Sequence, residues 1–272
     1  MSGATHLDER FTGDHLDLGI WFPYYLPHWS SREESAATYQ LSDDGLHLLI
    51  RPDQPLWCPD THEEPLRVSG IQSGSFSGRV GSTIGQQPFK EGLTVREEQA
   101  TFWGFTPRFG RIELVMRGSL TPRSMFGAWL AGIEDRSERS GEILIAEVFG
   151  DEIRDGSAAV GMGIRSFRDP DLIGDFATPR LAMDVSAPHT YGVVWAPDSV
   201  ELSVDGRVVR HHDQSPAYPM QLMIGVFDFP ARDPSGEWAD HTPELVVSSV
   251  KGSPEPATSP PPPSRPRPRS TG

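Results

Sequence analysis

The chain has 272 residues, with 24 Lys and Arg against 38 Asp and Glu, for a formal net charge of −14. Its 27 Gly and 26 Pro argue against a helical bundle or coiled coil, because both residues destabilise helix interiors. The acidic balance argues against nucleic acid and anionic membrane as partners, since neutralising phosphates needs clustered Lys and Arg.

In chain order, the opening MSGATHLDERFTGDHLDL has neither a basic region nor an apolar run, so no signal peptide is expected. No stretch approaches the 18 apolar residues of a membrane span. The expected location is therefore the cytoplasm, with export by a non-Sec route left open. SREESAAT at 31–38 reads as a short helix or loop, and LHLLIRP at 46–52 as the first clear strand. Cys58 is the sole cysteine; it can form no internal disulfide and reads as a free structural thiol. GSFSGRVGS at 74–82 is glycine-rich but lacks the Lys and helix start of a phosphate loop, so it reads as a turn region.

Strand-like runs then follow at 110–118 (GRIELVMRG), 141–150 (GEILIAEVFG), 190–210, 220–229 (MQLMIGVFDF) and 244–252 (ELVVSSVKG). Asp205-Gly206 between apolar runs predicts a hairpin whose two central residues take positive φ. The adjacent His211 and His212 point to opposite faces of a strand, and no further ligands have metal-site spacing. Many short strands without helical crossovers predict an all-β antiparallel sandwich or jelly roll, one domain over 1–252. Residues 253–272 hold eight prolines and are expected to form a disordered, extended tail.

The segment at 141–150 carries the chemistry. It sets Glu142 and Glu147 among Ile143, Leu144, Ile145, Ala146, Val148 and Phe149. A carboxylate in so apolar a run is costly unless it is paired, solvated in a cleft, or functional. Strict alternation puts 142 and 147 on opposite faces, because their separation is odd; one β-bulge puts them on the same face. Four remaining steps separate the Cα atoms by roughly 13 Å at ~3.3 Å each. Two leaning Glu side chains can close that toward the ~5–5.5 Å of a retaining glycosidase pair. The spacing alone leaves open a bland alternative, with one Glu in solvent and the other at a turn.

The strand resembles the ExDxxE signature of glycoside hydrolase family 16, the laminarinase and lichenase group. GRIELVMRG, GAWLAG (127–132) and HTYGVVWAPDSVELSVDGRVV (189–209) are similar to further blocks of that family, in its order. YYLPHWSSREESAATY (24–39) and PLWCPD (55–60) look like an actinobacterial branch. The resemblance spans about residues 10–252 and implies a concanavalin A-like β-jelly roll of two antiparallel sheets. It also implies Glu142 as nucleophile and Glu147 as general acid/base, cleaving a β-glucan or related oligosaccharide through a covalent glycosyl-enzyme. That chemistry uses no cofactor and no metal, and the protein is expected to work as a monomer on carbohydrate.

The chain departs from the family pattern twice. Leu144 stands where the family has Asp, and it removes water from both neighbours. That harms a nucleophile, which must be ionised, and suits an acid, which must hold a proton. Ser137 stands where a Trp commonly precedes the nucleophile. Trp129 and Trp103 are the candidate sugar platforms, since Trp offers an apolar face and an N–H. Trp195 alternates with inward residues and reads as core, and His189 as structural. The resemblance puts Asp228 within reach of the cleft mouth. Retention of both Glu points to an enzyme, while Leu144 points to a non-catalytic, lectin-like relative.

Overall fold

Burial along the strands separates two kinds of sheet. In Gly110–Ser119, Ile112, Leu114 and Met116 are buried while the residues between them are at least partly exposed. Val200–Val204 alternates in the same way. Such strands have one wet face. Ser124–Gly132, Glu142–Phe149 and Met220–Asp228 are buried almost throughout, as strands covered on both sides must be.

The computed structural model describes residues 3–254 and resolves these strands into two large antiparallel sheets. The first has eight strands. Its main order is Arg207–His212, Val200–Val204, His189–Trp195, Gly110–Ser119, Glu244–Ser253, Gly45–Leu49 and Tyr39–Ser42, with Leu7–Glu9 also on Glu244–Ser253. The second has six, in the order Asp175–Ala177, Gly161–Arg165, Glu142–Phe149, Ser124–Gly132, Met220–Asp228 and Arg67–Gln72. This is the all-β sandwich that the sequence predicts. The one α-helix among the described residues is Arg32–Ser35, inside the segment read as helix or loop. At the hairpin, Asp205 has φ 50° and Gly206 φ 74°, the pair of positive values that such a turn requires.

The main core lies between the sheets. Leu114, Tyr191 and Trp195 of the first meet Phe126, Ile143 and Ile224 of the second. The Trp195 indole N–H donates to Pro216 O at 3.0 Å. A second cluster covers the other face of the six-stranded sheet, where Leu26, Trp29, Trp57 and Leu93 from connecting segments pack on Met223 and Phe227. These segments form a roof. Cys58 is buried within it and donates to Trp29 O at 3.4 Å, and burial pushes its thiol up to about 11. At the carboxyl end, Glu244–Ser253 runs one residue into the stretch assigned to the tail. The remainder of that stretch, from 255, lies outside the described residues.

Asp228 is not at a cleft mouth. On Met220–Asp228 it shares its face with Leu222, Ile224 and Val226, which fill the core, so its side chain turns away from the roofed face. It is 1 % exposed and takes Arg123 Nε at 2.8 Å, Arg123 Nη2 at 3.1 Å and Arg67 Nη1 at 3.1 Å. Removing Arg123 leaves the buried Asp228 with Arg67 alone as cationic partner and takes a contact at 3.3 Å from Asp233. Arg123→Met is therefore expected to destabilise the fold by about 3–5 kcal/mol. The double variant Arg123→Met/Asp228→Leu should lose clearly less, as read from urea unfolding midpoints. Equal losses would contradict this account.

Candidate active site

One extra residue in Glu142–Phe149 builds the site. Against Ser124–Gly132, Leu144 faces Trp129 and Ala146 faces Ala128, so Ile145 is left without a partner. The strand on the other side shows the same irregularity, with Leu144 facing Gly163 and Glu147 facing Gly161. Gly163 lies at φ 146°, and a Cβ there would come within 2.2 Å of Asp175 O; only glycine fits beside the bulge. The inserted residue reverses the parity of everything after it. Glu142, Leu144 and Glu147 all line one cavity, while Ile143, Ile145 and Val148 belong to the core.

The cavity holds about 310 Å³. Its floor is the six-stranded sheet, and its walls include Tyr25, Trp57 and Phe89 from the roof. Trp129 lies on the floor beside Phe227, with ring centroids 6.1 Å apart. Tyr25 meets Phe227 edge-on at 5.4 Å and Trp57 at 5.1 Å. Trp129 therefore lines the cavity. Trp103 is elsewhere. It pairs with Gly74 in a separate two-stranded ribbon and does not line the cavity, and Trp57 takes the wall instead. Nothing in PLWCPD signals that position, because the segment has no strand periodicity. Ser137 is exposed and lines an adjoining cavity of about 510 Å³. The two cavities share Pro88, Glu134 and Arg168. Phe167, 58 % exposed, also lines the first cavity.

The site's electrostatics come largely from residues that sequence reasoning missed. Arg165 reaches both carboxylates, with Nη1 3.8 Å from Glu142 and Nη2 3.2 Å from Glu147. Its guanidinium lies over the Phe176 ring at 4.9 Å. Glu142 is 5 % exposed. Burial pushes it from an ordinary value near 4.5 up to about 7, against the opposing pull of Arg165 and of the Gln87 amide. A third carboxylate, Glu134, is likewise pushed up to about 7 by burial. It accepts the Gln87 backbone N–H at 2.6 Å and pairs with Arg168. Burial also raises the Tyr25 hydroxyl, with a contribution from Glu142. Two carboxyl groups on one face, one of them raised by burial to about 7, can exchange protons with a bound acetal or attack its carbon.

The profile of the glycosyl hydrolases family 16 matches residues 105–243. No curated protein matches the chain. Among solved structures it is similar to a GlcNAcα1-4Gal releasing endo-β-galactosidase from Clostridium perfringens, at 22% identity and TM-score 0.76. That match covers 92% of this chain and 63% of the other, so the chain spans less than two thirds of that relative's length. The catalytic domain of an endo-1,3-β-glucanase (laminarinase) from Thermotoga petrophila RKU-1 matches at 14% identity and TM-score 0.61, covering 90% of this chain and 95% of the other. A β-1,3-1,4-glucanase (lichenase) from a mouse hindgut metagenome matches at 17% identity and TM-score 0.61, covering 93% and 100%. At these identities the likeness is one of fold.

Burial of Glu142 has a signed consequence for stability. Folded, it keeps its proton up to about pH 7; unfolded, it loses it near 4.5. Across that window the folded state binds more protons, so this group's contribution to stability falls as pH rises. Glu142→Gln cannot ionise. Its stability relative to the parent should therefore climb by about 3 kcal/mol between roughly pH 4.5 and 8, read from denaturant midpoints. A difference that stays flat with pH would count against the burial account.

Proposed function

Because the chain belongs to the glycosyl hydrolases family 16, we propose that it is a retaining glycosidase acting on a β-glucan or a related β-linked oligosaccharide. The observation that carries this reading is the bulged strand. It delivers Glu142 and Glu147 to one aromatic-walled cavity, where a single guanidinium touches both. In the first step a Glu142 oxygen attacks the anomeric carbon while Glu147 gives its proton to the glycosidic oxygen. The carbon–oxygen bond breaks, and the alcohol leaves. Glu147, now a carboxylate, takes a proton from water, whose oxygen attacks the same carbon and releases Glu142. Two inversions return the original configuration.

Neighbouring groups set the pH at which this runs. Attack needs Glu142 ionised, so kcat/KM should rise with pH through about 7. Trp129 and Trp57 supply the apolar faces on which a sugar ring stacks. The substrate arms follow from the structural neighbours, which include a laminarinase, a lichenase and an endo-β-galactosidase.

A second reading, carbohydrate binding without turnover, draws on Leu144. It lines the cavity between the two carboxylates and offers them no polar atom. One experiment separates the two readings. The protein is incubated with laminarin, lichenan, short β-glucan oligomers and β-galactoside oligomers, with reducing ends and glycan binding both measured. Released sugar of retained configuration is expected, together with a loss of about 10²–10⁴-fold in Glu147→Gln. Binding without release from any of them supports the second reading.

Leu144→Asp sharpens the comparison. Asp is close in size and restores a hydrogen-bonding group beside Glu142, so kcat should rise by about 10²–10⁴-fold. A variant that folds normally and still releases nothing would leave binding as the function. A parent enzyme that is already fast would show that the missing carboxylate is not limiting.

A further inference from the structure

Leu144 leaves Glu142 without a polar neighbour between it and Glu147 on its own strand. The roof supplies one from 55 residues upstream. The side-chain amide of Gln87 donates Nε2–H to Glu142 Oε1. Its backbone N–H donates to Glu134 at 2.6 Å, and the other oxygen of Glu134 takes Arg168. Gln87 is thereby anchored behind by an ion pair and aimed in front at Glu142. Both Gln87, at φ 47°, and Glu134, at φ 57°, hold the left-handed backbone region. That conformation is costly for non-glycine residues and persists where the surroundings enforce it. The remaining amide oxygen, Gln87 Oε1, is shielded from solvent and has no partner among the described residues, on a side chain that lines the cavity. Gln87 also lies outside residues 105–243, so this contact is built by a part of the chain that the family profile does not cover.

We propose that Gln87 is the positioning residue for Glu142: it aims that carboxylate and favours its ionised form, in place of the carboxyl group missing at 144. This rests on the hydrolase reading above. A carboxylate only accepts hydrogen bonds, so an amide donor favours its charged form. The other titratable and charged groups around the cavity are Tyr25 and His62 from the roof, Glu147 from the same strand, Arg165 from the next strand, and Glu134 and Arg168 from the flanking loops. Of these, Arg165 comes within 3.8 Å of Glu142 and works in the same direction as Gln87.

The test is Gln87→Met, which keeps the length and removes the donor. Two readouts are used: the titration of Glu142 in carboxyl-labelled protein by carbon NMR, and the pH profile of kcat. Losing a hydrogen bond to a charged group should move the Glu142 titration up by about one to two pH units. The acidic limb of kcat should move with it, giving about a ten- to hundredfold loss near pH 6 that shrinks at high pH, with KM changed less. Adding Leu144→Asp to Gln87→Met should restore much of kcat. An unmoved titration and an unmoved limb would overturn the proposal, as would a loss of kcat independent of pH. Should Gln87→Met fail to fold, Gln87→Asn, one methylene too short, is expected to give the same upward shift. If the parent releases no sugar from any glycan, the hydrolase reading fails separately. The NMR titration then still decides whether Gln87 sets the ionisation of Glu142.

Discussion

Ile145 has no partner on either side of its strand, and the site depends on that. With regular pairing, Glu147 would share the core face with Ile143 and would bury an unpaired carboxylate at a cost of several kcal/mol. The inserted residue turns Glu147 outward while leaving Glu142 where it is, so two carboxyl groups of one strand open into one cavity. The neighbouring strand accommodates this through Gly163, and Ser124–Gly132 through the step between Ala128 and Trp129. Ser124–Gly132 itself pairs without a break with Met220–Asp228, so Trp129 keeps the cavity side by its own alternation. The irregularity fixes where the second carboxylate opens.

Around that irregularity, burial and charge pull against each other. The roof dries the sheet face, which favours stacking of an apolar sugar surface but penalises every ionised Glu beneath it. Three carboxyl groups, Glu134, Glu142 and Glu147, share the cavity with two guanidinium groups, Arg165 and Arg168. Raising Glu142 from 4.5 to about 7 corresponds to about 3 kcal/mol against its charged form. That is the net left after Arg165 and Gln87 have acted, so the desolvation they oppose is larger still. The site thus sits close to the balance point between a neutral and an ionised Glu142. Few additional hydrogen bonds decide which form prevails, because each one to a charged group is worth a comparable amount.

How much of this was legible in the sequence differs sharply between the sheets and the roof. The strands show in their apolar patterning, and the Asp205-Gly206 hairpin in its turn chemistry, because both signals are local. The bulge was inferable only from the odd separation of Glu142 and Glu147. Asp228 could have been placed by counting along Met220–Asp228, where it has the parity of Leu222, Ile224 and Val226. The family layout suggested the cleft, and the pleat overrules it. Trp57, Gln87 and Glu134 gave no such signal. They lie in connecting segments without periodicity, and their roles arise from contacts across long stretches of chain, 55 residues in the case of Gln87 and Glu142. Arg165 stands at the end of a short strand, and nothing nearby marked it as the group that would reach two carboxylates.

The strand order has a further consequence, for how the chain reaches this state. Glu244–Ser253, the last described strand, is an interior one, flanked by Gly110–Ser119 and by Gly45–Leu49. Met220–Asp228 likewise joins Arg67–Gln72 to Ser124–Gly132. Each sheet therefore stays in pieces until its late strand arrives, and the roof has no complete floor to cover before then. A topology that rests on pairings between distant segments folds slowly, since the loops must close before the contacts reward them. During synthesis, strand edges in both sheets wait open for a partner from the same chain, which is when a sandwich of this kind is most exposed to association with its neighbours.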